Sequence, residues 1–310
     1  MVSWRSWQLA TGLIVALRLH GVVAAPPDDS RLFARENLVA WCIVPFDAKQ
    51  RGPDQRAAML KQLGFTKFAY DWRDEHLPTF DAELAALARE GIELTACWFP
   101  AELNELARHI LTSLKRRDVR TQLWITMGDP ARATSGQSAK VAAAVAALRP
   151  VVDAAAAQNC SVGLYNHGGW FGEPENQLAI IAALGSANVG IVYNLHHGHD
   201  DLNRLPALLK LMKPHLYAVN LNGMDRDGDR RGRKILPIGQ GERDLEVLRT
   251  IQASGYRGPI GVLGHTNDDA EARLVDNLDG LAWLVKQLDG ADAGGRPTPR
   301  TSIPLINKRP

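Results

Sequence analysis

Several histidines stand where short apolar runs end. His167 closes Cys160–Asn166, His196 closes Val189–Leu195, and His265 follows Ile260–Leu263. If those runs are neighbouring strands, three imidazoles meet at one rim. They could hold a transition ion such as zinc or manganese with one position open for substrate. They could equally hydrogen-bond a polyhydroxylated ligand or one another. Asp71 ends another such run and is a candidate base, His199 is a further acid/base candidate, and Lys234 could stabilise an oxyanion. Arg230, Arg231 and Arg233 beside Lys234 equally suit a solvated basic loop. Together these groups fit removal of a proton next to a carbonyl, or elimination from the same carbanion. Trp72, Trp98 and Trp170 are flat apolar surfaces near the same ends, suited to the C–H faces of a sugar. Glu242 precedes a helical stretch and reads as a cap.

The elements that must position these residues follow from periodicity. Strand-like runs cover Leu38–Val44, Thr66–Asp71, Ile92–Trp98, Thr121–Met127, Cys160–Asn166, Val189–Leu195, Leu216–Leu221 and Ile260–Leu263. Amphipathic stretches lie between them, among them Asp54–Leu63, Asp81–Glu90, Ala101–Arg117, Gln137–Gln158 and Asp244–Ser254, and Asp269–Leu288 closes the series. Gly64, Gly91 and Gly255 stand where helices stop, and Pro53 and Pro174 where helices start. Eight such alternations predict a parallel sheet closed into a single-domain (β/α)8 TIM barrel over residues 37–289, and about 250 residues suffice for one. An open doubly wound sheet would carry a glycine-rich phosphate turn after its first strand. Pro45-Phe46-Asp47 stands there instead, so no nucleotide cofactor is expected.

Period-two alternation assigns the inward face. Gly163, Tyr165 and His167 share one face; so do Val192, Asn194 and His196, then Ala218, Asn220 and Asn222, then Gly261, Leu263 and His265. Each histidine then stands one pleat repeat, ~6–7 Å, beyond Tyr165, Asn194 or Leu263, toward the rim. Tyr165, Asn194, Asn220 and Asn222 are the expected polar contacts to a substrate.

The ends have their own signatures. Arg5, the apolar run Leu9–Leu17 and Val23-Ala24-Ala25 form the pattern of a secretory signal peptide over residues 1–25, implying export to a periplasmic or secreted location. The apolar run falls short of the ~20 residues that a membrane span needs. Residues 26–36 lead into the barrel, and the Gly-, Pro- and Arg-rich segment 290–310 is expected to be disordered. The chain has 36 Lys and Arg against 34 Asp and Glu. Removing Arg5 and Arg18 with the leader leaves 34 of each, and that balance argues against a nucleic-acid partner. Cys42, Cys97 and Cys160 lack the spacing of a metal or redox motif and read as isolated buried thiols.

Four strand ends carry a resemblance. Leu164-Tyr165-Asn166-His167-Gly168-Gly169, Val192-Tyr193-Asn194-Leu195-His196-His197-Gly198-His199, Val219-Asn220-Leu221-Asn222 and Ile238-Gly239-Gln240-Gly241-Glu242 are similar, in order and spacing, to motifs of the xylose isomerase-like sugar isomerase/epimerase family. The resemblance spans most of residues 37–288. It implies a barrel enzyme acting on a small sugar, and a divalent metal held by Glu, Asp, His and Glu at the ends of strands five to eight. At those positions this chain has Tyr165, Asn194, Asn220 and Leu263, which cannot replace carboxylate charge. The leading expectation is therefore an exported sugar isomerase or epimerase working by acid/base proton transfer. A keto-sugar lyase and a non-catalytic carbohydrate-binding barrel stay open beside it. A DNA-repair-like phosphoesterase would need a metal cluster and a basic face, and the sequence shows neither.

Overall fold

The structure, a computed structural model, describes Met1 and residues 31–132 and 136–303. The expected leader, apart from Met1, lies outside the described residues. Eight parallel strands pair in sequence order and close on themselves. They are β1 (Leu38–Trp41), β2 (Lys67–Tyr70), β3 (Glu93–Phe99), β4 (Gln122–Ile125), β5 (Ser161–Tyr165), β6 (Val189–Asn194), β7 (Leu216–Leu221) and β8 (Ile260–Leu263). The barrel closes where Leu38 to Trp41 of β1 pair with Ile260 to Leu263 of β8. The outer ring holds α1 (Pro53–Gln62), α2 (Phe80–Glu90), α3 (Glu105–Arg116), α4 (Gln137–Ala156), the short α5 (Gly169–Gly172), α6 (Pro174–Leu184), α7 (Leu205–Met212), α8 (Asp244–Ala253) and α9 (Ala270–Leu288). The single-domain TIM barrel expected from periodicity is what forms. Helix ends follow the expected chemistry: Pro53 and Pro174 open α1 and α6, and Gly91 ends α2 in the left-handed region at φ +68.

The strands separate two apolar layers. Outward side chains pack against the helices in one large cluster. Inward ones form a second, with Trp41, Trp124 and Tyr165 interlocked among Ala69, Ala96, Val192, Ala218 and Leu263. Large rings fit inside only because facing positions are small. A side chain at Gly163 would meet Val192 at 2.7 Å and Trp124 at 2.9 Å, and one at Gly261 would meet Asn220 Oδ1 at 1.9 Å. The interior is thus filled, and open space begins only above Tyr165 at the C-terminal rim.

Residues 290–303 differ from the expectation of disorder. The indole N–H of Trp283 donates to Gly294 O, and Gln240 Nε2 donates to Pro297 O. The Asp276 carboxylate receives the backbone N–H groups of Arg300 and Thr301 together with the Thr301 hydroxyl. A segment without periodicity is fixed here because one buried acid on α9 collects its donors. Residues 304–310 lie outside the described residues.

Candidate active site

Six of the eight strands, β1, β2, β3, β5, β6 and β8, place groups at the rim over the aromatic floor. One cleft there is lined by Trp41, Cys42, Asp71, Arg73, Trp98, Tyr165, His167, His196, His197 and His265, enclosing about 330 Å³ of empty space with its open mouth included. The Trp41 and Trp98 ring centroids are 6.2 Å apart, and Trp98 meets Tyr165 edge-on at 5.1 Å. Cys42 turns the chain out of β1 with φ +56, a left-handed conformation that costs a non-glycine residue about 1–3 kcal/mol. Burial raises its thiol pKa well above the ordinary value, so it stays protonated.

Asp71 follows β2 on the inward face. It is 2% exposed. Its Oδ1 accepts the Val44 backbone N–H at 3.2 Å, and its Oδ2 has no partner. Burial pushes its carboxyl up to about 6 against the Val44 hydrogen bond and the charge of Arg73, which both pull it down. The imidazoles move the other way. Burial, reinforced by neighbouring imidazoles and Lys234, drives His196 far below its ordinary value and His197 to about 3. Burial followed by the charge of Arg73 takes His265 to about 4. His167 is lowered too, by burial first, with its own backbone hydrogen bond opposing. At neutral pH the cleft therefore presents a ring of neutral imidazoles beside a carboxyl that exchanges its proton near pH 6.

Of the expected site residues, Asp71, His167, His196, His265, Trp98 and Tyr165 line this cleft. The others do not. Asn194 lies beneath it: its Nδ2 donates to the Tyr165 hydroxyl and its Oδ1 accepts the His196 backbone N–H at 3.2 Å. It orients the site rather than facing a substrate. Asn220 is fully buried with both amide atoms unpartnered, and Asn222 gives its Nδ2 to the carbonyls of Gly223 and Lys234. His199 bonds the Lys234 carbonyl through Nε2 at 2.8 Å, and Lys234 pairs with Asp229 at 3.1 Å. Lys234 belongs to the loop 222–243, and His199, in the turn after β6, is tied to that loop. Trp72 points outward, its indole N–H on Trp98 O at 2.7 Å, and Trp170 on α5 is tied to Gln137 on α4.

Four lining residues escaped the sequence reading: Trp41, Cys42, Arg73 and His197. His197 is instructive. Strict alternation turns it away from His196, but Leu195–His197 form a 3-10 turn, and the two rings face each other with centroids 3.7 Å apart. His197 also meets His167 at 4.5 Å. The signal was the His-His-Gly sequence, in which Gly198 leaves room for the Tyr193 hydroxyl, which a Cβ there would meet at 2.6 Å.

As placed, the described side chains form no metal site at either level. At the level of Tyr165, Asn194, Asn220 and Leu263 the barrel holds a packed layer, with Tyr165 and Leu263 inside the apolar cluster and no carboxylate. A hard divalent cation has no ligand set there. One pleat above, His196 and His265 are perpendicular at 5.2 Å and His167 contacts His197 instead. Among the described residues no three His, Cys, Asp or Glu side chains are placed to hold a metal ion.

A closed eight-stranded parallel barrel with its polar cleft at the C-terminal rim defines the general class. Residues 57–287 match the model of the xylose isomerase-like TIM barrel family, and the chain belongs to that family. No curated protein matches it. Among solved structures it is similar to 3-keto-D-glucoside 4-epimerase YcjR from E. coli, at 18% identity and TM-score 0.59 over 80% of this chain and 98% of that one. It is also similar to the IolI protein with a bound zinc atom, at 14% identity and TM-score 0.64 over 81% and 98%. A third likeness is to the probable 3-DHS dehydratase AsbF from Bacillus anthracis, at 14% identity and TM-score 0.59 over 78% and 98%. At these identities the likeness is one of fold.

Proposed function

We propose that the chain is an exported enzyme that moves a proton next to the carbonyl of a sugar or keto-sugar, as an epimerase or isomerase. The observation that carries this is Asp71: buried, lining the cleft, with one carboxyl oxygen unpartnered and a pKa of about 6. A proton carrier works best when its pKa lies near the working pH. In this reading the sugar's C–H face lies on Trp98, and Asp71 removes the proton beside the carbonyl. The charge gathers on the carbonyl oxygen, where the neutral imidazoles of His197 and His265 donate N–H hydrogen bonds. Neutral rings suit this role because they stabilise the oxyanion without first losing a charge. Delivery of a proton to the other face by a second donor such as water, with the proton on Asp71 passing to solvent, gives epimerisation. Return of the Asp71 proton to the neighbouring carbon on the same face, with the hydroxyl proton of that carbon moving to the former carbonyl oxygen, gives isomerisation. Loss of a β-substituent from the same carbanion would make the enzyme a lyase. The family names among the structural neighbours, an epimerase and a probable dehydratase, are compatible with both.

The test is proton NMR of a keto-sugar panel in heavy water. Wild-type protein should wash deuterium into the position next to the carbonyl, with Asp71→Asn at least about 100-fold slower. A lyase would show an unsaturated product in place of washed-in starting sugar. Binding of sugars without washing or turnover would leave a carbohydrate-binding barrel, the reading favoured by the apolar layer that replaces the family's carboxylates.

A further inference from the structure

The guanidinium of Arg73 is held in an uneven way. One of its nitrogens, Nη1, donates to two carbonyls at once, Asp71 O and Trp72 O, each at 2.8 Å. Its plane lies over the Phe46 ring at 5.4 Å, and Phe46 in turn stacks on His265 at 3.8 Å. No carboxylate among the described residues pairs with it, and no hydrogen bond uses its Nη2 or Nε. The charge nevertheless reaches the cleft, where it depresses the pKa of both His265 and His167. Arg73 is exposed at the mouth of the cleft. A guanidinium fixed there by one nitrogen and an aromatic face, with Nη2 and Nε left without a protein partner, is a preorganised fork for a planar or tetrahedral oxyanion.

The other groups around the cleft support the same polarity. The four imidazoles are neutral at pH 7 and offer N–H donors without a competing charge. Lys234 is close enough to lower all four, although its amine pairs with Asp229. Asp71 is the one acid lining the cleft. Its carboxylate does not pair with Arg73, because Arg73 takes the Asp71 backbone carbonyl instead. A neutral sugar would leave the free edge of Arg73 to water alone. An anionic group would replace that water with charge-assisted bonds to both free nitrogens.

The structure assigns Arg73 as the anion-recognising residue of the cleft, and a sugar bearing a carboxylate or phosphate as its substrate class. This rests on the cleft being the sugar site proposed above. Two sources of the oxyanion share this chemistry, a uronate-type carboxylate and a phosphate ester, and the test separates them.

Binding is measured by calorimetry with glucose, glucuronate and glucose 6-phosphate as probes, on wild type, Arg73→Lys and Arg73→Ala, with melting temperatures recorded for each. Wild type should bind at least one acidic sugar about 10- to 100-fold more tightly than glucose, as a charge-assisted bidentate contact supplies. That preference should collapse in Arg73→Ala and shrink in Arg73→Lys, which keeps the charge and loses the fork. The tighter of the two acidic probes identifies the anion. Equal affinity for glucose and both acidic sugars in wild type overturns the assignment while leaving proton transfer intact. So does a preference that survives in Arg73→Ala. If Arg73→Ala does not fold, Arg73→Lys and competition by inorganic phosphate on wild type decide, and binding of an acidic sugar that phosphate and acetate both fail to weaken is also refutation. Failure of the proton-transfer reading shows separately, as acidic-sugar binding that depends on Arg73 without any deuterium wash-in.

Discussion

Replacing Asp71 by Asn should make the protein more stable at high pH and at least about 100-fold slower in proton transfer. The carboxyl is 2% exposed and its pKa lies at about 6 in the fold against an ordinary 3.8. Because the folded state holds the proton more tightly, stability is fully present below 3.8 and falls as pH rises through 6. A displacement of this size corresponds to about 3 kcal/mol once both states are ionised. Linkage gives a penalty of about 1 kcal/mol at pH 4.5 and about 3 kcal/mol at pH 8. Asn cannot ionise and escapes it. Its amide leaves one polar group unpaired where Asp71 Oδ2 has no partner, a constant cost of about 1 kcal/mol. The stability difference between Asp71→Asn and wild type should therefore rise by about 2 kcal/mol between pH 4.5 and pH 8. Urea denaturation of both proteins across that range measures it. A difference that stays flat with pH would refute the electrostatic account of Asp71, whatever its sign.

Other outcomes follow from the same geometry. His197 and His265 have folded pKa values of about 3 and 4, depressed below the free value, so the stability they protect is present above about pH 6.5 and lost on acidification; His197→Ala should flatten the acid limb of the denaturation midpoint. For activity, His197→Ala should be at least about 10-fold slower in deuterium wash-in, whereas Trp170→Phe, which lies outside the cleft, should be unchanged. Gly261→Ala would press a methyl onto Asn220 Oδ1 at 1.9 Å, which should cost about 1–3 kcal/mol in urea titrations and be partly rescued by Asn220→Ala. Asp276→Ala removes the acceptor of Arg300 and Thr301, so about 1–3 kcal/mol of stability should go. Hydrogen exchange should then show the backbone amides of Arg300 and Thr301 losing protection.

Much of the fold was legible because strands and helices impose different periods. The runs Leu216–Leu221 and Ile260–Leu263 coincide with β7 and β8, and alternation placed Tyr165, Asn194, Asn220 and Leu263 inward. The site was legible only as far as that alternation holds. It stops at the strand end: the 3-10 turn after β6 brings His197 round beside His196, and the left-handed Cys42 redirects the chain after β1. Trp72 shows the converse. It follows the inward Asp71, so alternation already turned it away from the cleft, and composition near the rim was the weaker guide. Segment 290–303 looked disordered because its partner, Asp276, is far away in sequence; local composition does not record a long-range acceptor.

The most direct test of the central claim is a crystal structure with a keto-sugar bound to Asp71→Asn, which should retain ligand while turnover is blocked. The account predicts the sugar against Trp98, with its carbonyl oxygen within about 3.2 Å of a nitrogen of His197 or His265 and the adjacent carbon facing residue 71. A sugar bound elsewhere, or one reaching down to Asn220 inside the barrel, would contradict it.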